Sequence, residues 1–462
     1  MDEKDLIIQG LLKEIEALKL IIIKQEARTT ELEKRLGLNS KNSSKPPSSD
    51  GFKKPPRTTS LRKKGKNKSG GQLGHKGHTL LAATKPNKVV RHEISKCPHC
   101  QSSLGDEVID IKKRQVFDIP PQEIEVTEHQ AEIKSCACCG KKAYAEFPKG
   151  VNFPVQYGPR IKAMAVYFSE EHYVPEDRLQ KVFQDLYRTK IATATLVKFK
   201  NDLAEELCDL NNVLLKNIKE AKIKNLDETG FRIGGKTHWL HVASNEEFTY
   251  YHQSPKRKSL IKGMKGTIVH DHWKPYYQMP TVKHALCNAH HLRELQALVE
   301  HEQEIWARKM QRLLKFMSHY RKQFSKEIPR EKLKRLKKIY DRIIEEGLIY
   351  HEKKRSVLLH GGIHIRKKYP GHNLLLRLKK YKKDVLRFLI NKEVPFTNNQ
   401  AERDLRMMKL RQKISGGFRT EKGAETFVCI RAFISTARKQ GWDVFTAISN
   451  AVEGVVPLLL NG

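Results

Sequence analysis

Acidic residues are in short supply in this chain. Its 462 residues hold 52 Asp and Glu against 88 Lys and Arg, a net charge of +36. That imbalance predicts a polyanionic partner, nucleic acid first. A basic packing protein would carry similar charge, but it would be shorter and lower in complexity. Long apolar runs are also missing. None approaches the ~18–20 residues that span a bilayer, so no membrane partner is expected. Met1-Asp2-Glu3 is acidic and charge interrupts the apolar residues after it, so no secretory leader and a cytoplasmic location are expected. Cysteine is sparse, and five of the eight fall between 97 and 139, with Cys208, Cys287 and Cys429 scattered. In a reducing compartment such clustering indicates metal ligation and excludes a disulfide framework. Hydrophobic residues make up 39%, enough for at least one large core.

From the N-terminus, Leu11, Ile15, Leu18 and Ile22 alternate in steps of four and three, and Leu32 and Leu36 resume the stripe. Residues 1–38 therefore read as a short coiled coil, which predicts a homo-oligomer. Residues 39–90 begin with Ser, Lys, Pro, Gly and Asn and read as a flexible basic linker. Residues 91–150 carry Cys97-Pro98-His99-Cys100 and Cys136-Ala137-Cys138-Cys139. Two C-x-x-C knuckles suit tetrahedral structural zinc. Cys97, Cys100, Cys136 and Cys139 fit the spacing and leave Cys138 spare, while His99 or His129 could replace a thiolate. Between the knuckles, Val116–Ile119 and Glu123–Thr127 read as strands.

Residues 151–221 have a helical period. Two helices joined by a turn at Tyr187–Ile191, the second opening near Thr193, resemble a helix-turn-helix, with Lys198 and Lys200 facing DNA. At 222 the period changes to strands. Ile223–Leu226 runs into Asp227, a meander continues to His252, and a helix is expected after it. Gly266–His270 is a strand ending at Asp271, Val282–Cys287 another, and His290–Glu300 a helix. Residues 296–394 read as a basic helical insertion without a catalytic motif. Pro395 and Asn398-Asn399 signal a helix start, with Asn capping free backbone donors. Glu402 lies just inside that helix, and Arg406 shares its face. Asp404 is roughly 200° around the helix and cannot join Glu402 in one site. A further helix from Thr420 to Arg438 is expected to pack on the sheet, and 441–462 reads as a tail.

Asp227 and Asp271 at strand ends and Glu402 on a late helix form a carboxylate trio. Hard oxygen ligands of this kind hold Mg²⁺ or Mn²⁺ and serve phosphodiester displacement with two metal ions. Arg403, Arg406, Lys409, Arg411, Lys413 and Arg419 would grip a DNA backbone. Cys287 and His290 stand as possible support for the site.

Several motifs together resemble the transposases of the insertion-sequence-66 family. They are Asp227-Glu228-Thr229-Gly230, Val269-His270-Asp271, the run from Leu286-Cys287-Asn288-Ala289-His290 to Leu295, and Asn398-Asn399-Gln400-Ala401-Glu402-Arg403-Asp404. The likeness extends to Gly70–His78, to both knuckles and to Pro154–Arg160. The resemblance implies a bacterial DDE transposase of multidomain α+β build. Its ribonuclease-H-like catalytic core would comprise residues 222–295 and 395–440, interrupted by the 296–394 insertion. It implies Asp227, Asp271 and Glu402 as Mg²⁺ ligands, cleavage of double-stranded DNA at element ends by water, and strand transfer by the freed 3′-hydroxyl. It further implies a nucleoid-associated location and accessory proteins of the same element. The readings it competes with are a zinc and helix-turn-helix repressor without catalysis, a Mg²⁺ nuclease on the same fold, and a coiled-coil scaffold.

Overall fold

The computed structural model describes residues 79–324, 327–360 and 369–456, with Gly74 and the helical positions 9–12, 14–19, 21, 22 and 25. Leu11, Ile15, Leu18 and Ile22 are exposed there. The rest of the expected coiled coil, and the linker up to 78 apart from Gly74, lie outside the described residues. Two compact units emerge. The smaller comprises Thr59–Thr127 with Leu186–Arg188, and the larger contains everything else.

In the smaller unit, Lys96 bridges Ser103 around the first knuckle. The side chain of Gln115 holds both backbone groups of Ala83, at 2.7 and 2.8 Å. The strands expected at Val116–Ile119 and Glu123–Thr127 are not formed. Their alternation finds no partner: Val116, Ile119 and Val126 are all exposed. A strand needs a neighbour for its backbone groups and a surface for its apolar face. The short strands of this region belong instead to the larger unit. They are β1 (Ile133–Ser135) and β2 (Lys142–Tyr144), an antiparallel hairpin around the second knuckle.

The larger unit is built on a five-stranded mixed sheet. Its strands are β3 (Ile223–Ile233), β4 (Lys236–Ser244), β5 (Thr249–Ser254), β6 (Gly266–His270) and β7 (Val282–Leu286), in the order β5-β4-β3-β6-β7. β3, β4 and β5 form the antiparallel meander that the Gly234-Gly235 turn announces, and β6 and β7 join parallel to β3. The helix expected after His252 is absent, and residues 255–265 are loop. Ile268 and Val269, consecutive in β6, enter different apolar clusters, so the sheet buries both faces.

Four helices precede the sheet: α1 (Pro159–Val166, continued by a π-helical turn to Glu171), α2 (Glu176–Tyr187), α3 (Thr193–Glu206) and α4 (Cys208–Glu220). After it come α5 (Asn288–His301), α6 (Ile305–Gln323), α7 (Arg330–His360), α8 (Pro370–Lys380) and the short α9 (Lys382–Val385) and α10 (Arg387–Ile390). The chain closes with α11 (Asn399–Ser415), α12 (Glu421–Lys439) and α13 (Val444–Val452). The insertion contributes more than charge. Trp306, Met310, Leu314 and Met317 recur at helical spacing and are buried with Tyr340 and Leu375 in a core shared with α5 and β7.

Helix α12 is the keystone of the larger unit. One side packs on β5, where Thr249 bonds Ser435 and Thr436 at 2.8 and 3.2 Å. The other receives α3 and α4, with Thr426 bonded to Asn201 and Cys429 to Asn211, both at 2.8 Å. Side-chain contacts thus cross the 221/222 boundary within the larger unit. The expected C-terminal tail carries α13, capped by the Asp443 carboxylate on the Thr446 N–H at 2.8 Å and packed against α1.

Candidate active site

The pairing of β3 with β6 brings the two aspartates together. Ile223 lies opposite Thr267 and Asn225 opposite Val269, a constant offset of 44 (269 − 225). The same offset sets Asp227 beside Asp271 (271 − 227 = 44), just beyond the last residue of β6. Asp227 is not at a strand end, as the sequence suggests. It sits within β3, which runs on past its pairing with β6 to Ile233, against β4 on one side and a bridge to Phe418 on the other. Asp271 is fixed by its own turn, its Oδ1 accepting the Trp273 N–H at 2.9 Å.

Burial and neighbouring negative charge disfavour ionisation of both carboxyls. The Asp227 carboxyl is held well above the usual carboxylate range, by burial first, then by Glu228 and Asp271, with a weaker push from Glu402. The Asp271 carboxyl is pushed up to about 6, again by burial first and then by Glu228, while the Trp273 N–H and Arg257 pull it down.

Glu402 reaches this neighbourhood on α11, whose Ala401, Leu405 and Met408 are buried. Asn398 occupies the N-cap position, but its side chain does not cap. Its Nδ2 donates to the Leu226 carbonyl and its Oδ1 accepts from Asn225 Nδ2, both at 2.8 Å, and its backbone N–H points to Cys287 Sγ at 3.1 Å. The helix start is bolted to β3 next to Asp227. Glu402 Oε1 is buried without a hydrogen-bond partner, and its nearest cation is Arg293, at 3.5 Å, not Arg406. Asp404 turns away to Lys439 at 3.0 Å, as helix geometry requires.

Residues 154–426, more than half of the chain, match the family model described as Transposase IS66 family. The chain belongs to the IS66 transposase family. Residues 95–140 match the zinc-finger binding domain of transposase IS66, and residues 2–80 match a family of unknown function. No individually curated protein matches. The first match starts at 154, so this IS66-family domain includes helices α1–α4 as well as the sheet.

Both knuckles of this IS66-family chain fold alike. Cys97 N–H donates to the Ser102 carbonyl and Gln101 N–H returns to the Cys97 carbonyl, each at 2.9 Å. In the second, Cys136 N–H donates to Lys141 and Gly140 N–H returns to Cys136, each at 2.8 Å. The fifth residue of each loop has positive φ, 59° at Gln101 and 66° at Gly140. The shared pattern equates Cys136 and Cys139 with Cys97 and Cys100, and Cys138 with His99. All eight cysteines are free thiols. The Cys100 thiol is lowered by hydrogen bonding to Ser102 and the Cys136 thiol by the Cys139 backbone, both in the direction of metal-ready thiolate.

The basic residues divide. Arg403, Arg406, Lys413 and Arg419 are exposed, while Lys198 is exposed but paired with Asp202 at 2.7 Å. Lys200 is buried between Glu170, at 3.2 Å, and Glu176, so it is not free to meet phosphate. Arg411 is likewise buried, its guanidinium 5.6 and 5.9 Å from the Phe418 and Phe427 ring centres. Lys409 is half-buried and donates to the Gly230 carbonyl at 2.9 Å.

Sequence reasoning missed Glu228. Strand alternation assigns it to the face opposite Asp227, so nothing in its position paired it with the acids. Its buried carboxylate accepts from Arg257 at 2.7 Å and from the Tyr276 hydroxyl at 2.5 Å. Arg257 is clasped in turn by Trp239 and Trp273, 4.7 and 4.5 Å from their ring centres. His270 and His272 flank Asp271, and aromatic and histidine neighbours engage both. His270 Nε2 lies 3.1 Å from His284 Nδ1, and His272 Nδ1 3.1 Å from the Tyr277 hydroxyl.

Proposed function

We propose that this IS66-family chain is a DDE transposase whose Asp227, Asp271 and Glu402 hold Mg²⁺ or Mn²⁺ during cleavage at element ends and strand transfer. The observation that carries this reading is the β3–β6 register, which when continued past its last pair sets Asp227 beside Asp271, with Glu402 acting electrostatically on both. The donor set fits a hard divalent cation. Every ligand atom is a carboxylate oxygen, burial and nearby acids raise both Asp227 and Asp271, and Glu402 Oε1 has no hydrogen-bond partner. A bound pair of such ions activates an attacking oxygen and stabilises the leaving one. The chain's own contribution is position: Asn398 fixes Glu402 against β3, the Trp273 N–H orients Asp271, and Arg257 holds Glu228. Strand order β5-β4-β3-β6-β7, with the first three antiparallel and the last two parallel, supports assignment to the ribonuclease-H-like class. Arg403, Arg406, Lys413 and Arg419 are the bases free to meet phosphates.

Cys97, Cys100, Cys136 and Cys139 form the proposed structural zinc set, supported by the equivalence of the two knuckles. The exposed stripe of Leu11, Ile15, Leu18 and Ile22 supports self-association of the N-terminal helix. Among the described residues no helix is long and apolar enough to cross a membrane.

The test uses DNA bearing the sequences that flank the gene. Mg²⁺ should support end cleavage and joining to a target, EDTA should abolish both, and Asp227→Asn or Glu402→Gln should bind the ends without cutting them. Cut ends that never join would instead indicate a nuclease. Cleavage surviving in either variant would show that the acids are misassigned.

A further inference from the structure

Beside the carboxylate trio lies a second donor set of different chemistry. Cys287 is the N-cap residue of α5 and His290 lies three residues on, in the first turn. Residues at this spacing share a helix face. Glu402 comes to them from α11. One ligand atom from each of Cys287, His290 and Glu402 lies within 4.8 Å of the other two. Two polar atoms of this set are buried with no hydrogen-bond partner: His290 Nδ1 and Glu402 Oε1. Buried polar atoms are nearly always satisfied, so His290 Nδ1 with no partner and Glu402 Oε1 with only a 3.5 Å ion pair to Arg293, in one cluster, point to something that binds there.

We propose that Cys287, His290 and Glu402 bind a thiophilic divalent ion of the zinc class, and that its binding draws Glu402 away from Asp227 and Asp271. The second half rests on the transposase reading; the first does not. Sulfur, imidazole and carboxylate together suit zinc in a three-ligand site with an open position, and the thiolate discriminates against Mg²⁺. Zinc ligand bonds of about 2.0–2.3 Å set donor atoms about 3–4 Å apart, a spacing within reach of donors that already lie inside 4.8 Å of one another. Two contacts must adjust. Arg293 releases Glu402, from which it stands 3.5 Å. Cys287 Sγ, which accepts from the Asn398 N–H at 3.1 Å, keeps or lengthens that bond. Glu402 then belongs to two sites, and the ion with the softer preferences competes for it.

The experiment counts zinc in the full chain after equilibration with zinc and removal of the excess, for wild type, Cys287→Ser and His290→Gln. Wild type should hold one ion per chain more than either variant, with the knuckle zinc retained in all three. Near-ultraviolet circular dichroism matching wild type shows that the variants are folded. Equal counts in wild type and both folded variants overturn the site. A second arm adds zinc to Mg²⁺-dependent end cleavage by wild type. Suppression that rising Mg²⁺ relieves supports the sharing of Glu402, and unaltered cleavage by the zinc-loaded chain overturns it. The zinc count reads the site even for a chain that cuts no DNA, so failure of this site and failure of the transposase reading are told apart.

Discussion

Asn398 holds Leu226: the side-chain amide of the one donates to the backbone carbonyl of the other at 2.8 Å, one residue short of Asp227. Both residues are buried, and the same amide accepts from Asn225. Position 398 is thus a tether between the helix that bears Glu402 and the strand that bears Asp227. Asn398→Ala strands a buried carbonyl and a buried amide, each at about 1–3 kcal/mol. Urea denaturation should register that loss. End cleavage at a temperature where the variant is folded should fall further than DNA binding does, because the register between helix and strand loosens.

Asp271 gives a pH signature with a definite sign. Its carboxyl moves from the ordinary value of 3.8 to about 6 in the folded chain. The folded state holds its proton more tightly, so this group lowers stability as pH rises through that interval. In EDTA, Asp271→Asn should be more stable than wild type above about pH 6, and the difference should vanish below about pH 4. The amide keeps an oxygen for the Trp273 N–H, so the comparison isolates the charge. Thermal melts across that range test it. A gap that stays constant with pH would mean that Asp271 is not the titrating group.

The equivalence of the two knuckles predicts which thiols matter. Cys138→Ser should leave zinc content and thermal stability near wild type, since Cys138 takes the place of His99 in the loop. Cys136→Ser or Cys139→Ser should release the knuckle zinc. Metal analysis of the purified variants decides, and zinc loss on Cys138→Ser would reverse the assignment.

How much of this was legible in the sequence differs by element. β6 was readable to its ends, since Gly266–His270 is a short apolar run bounded by turn residues. The acids could be grouped from their order, two strand-borne carboxylates and then a helix-borne one, although Asp227 lies within β3 and not at its end. Lys200 and Arg411 were misread as phosphate ligands, although spacing held the signal. Lys200 lies four residues after buried Leu196, and Arg411 three after buried Met408, each on the inward face of its helix. Charge alone says nothing about which way a side chain faces. Asn398 and Glu228 were beyond reach for another reason: their partners, Leu226 and Tyr276, are distant in sequence and meet them only in the folded sheet. The strands imagined at Val116–Ile119 and Glu123–Thr127 show the converse, a pattern with no neighbour to complete it.

Arg431 tests whether the helices before the sheet are part of the same body. It sits on α12, buried, with its guanidinium 2.5 Å from the Glu171 carboxylate and 3.2 Å from the Glu170 carbonyl. Arg438 shares Glu171, and Tyr173 lies under Arg431 with its ring centre 5.7 Å away. Arg431→Met leaves Glu171 buried with one partner on the surface, and a broken buried pair costs about 3–5 kcal/mol. Adding Glu171→Gln should recover part of that cost, because the uncompensated charge is then gone. If α1–α4 and the sheet fold as one unit, Arg431→Met lowers a single urea midpoint seen alike by tryptophan fluorescence, whose reporters lie outside α1–α4, and by far-ultraviolet circular dichroism. An early loss of helix signal with the fluorescence transition unmoved would instead mean that α1–α4 unfold as a separate domain.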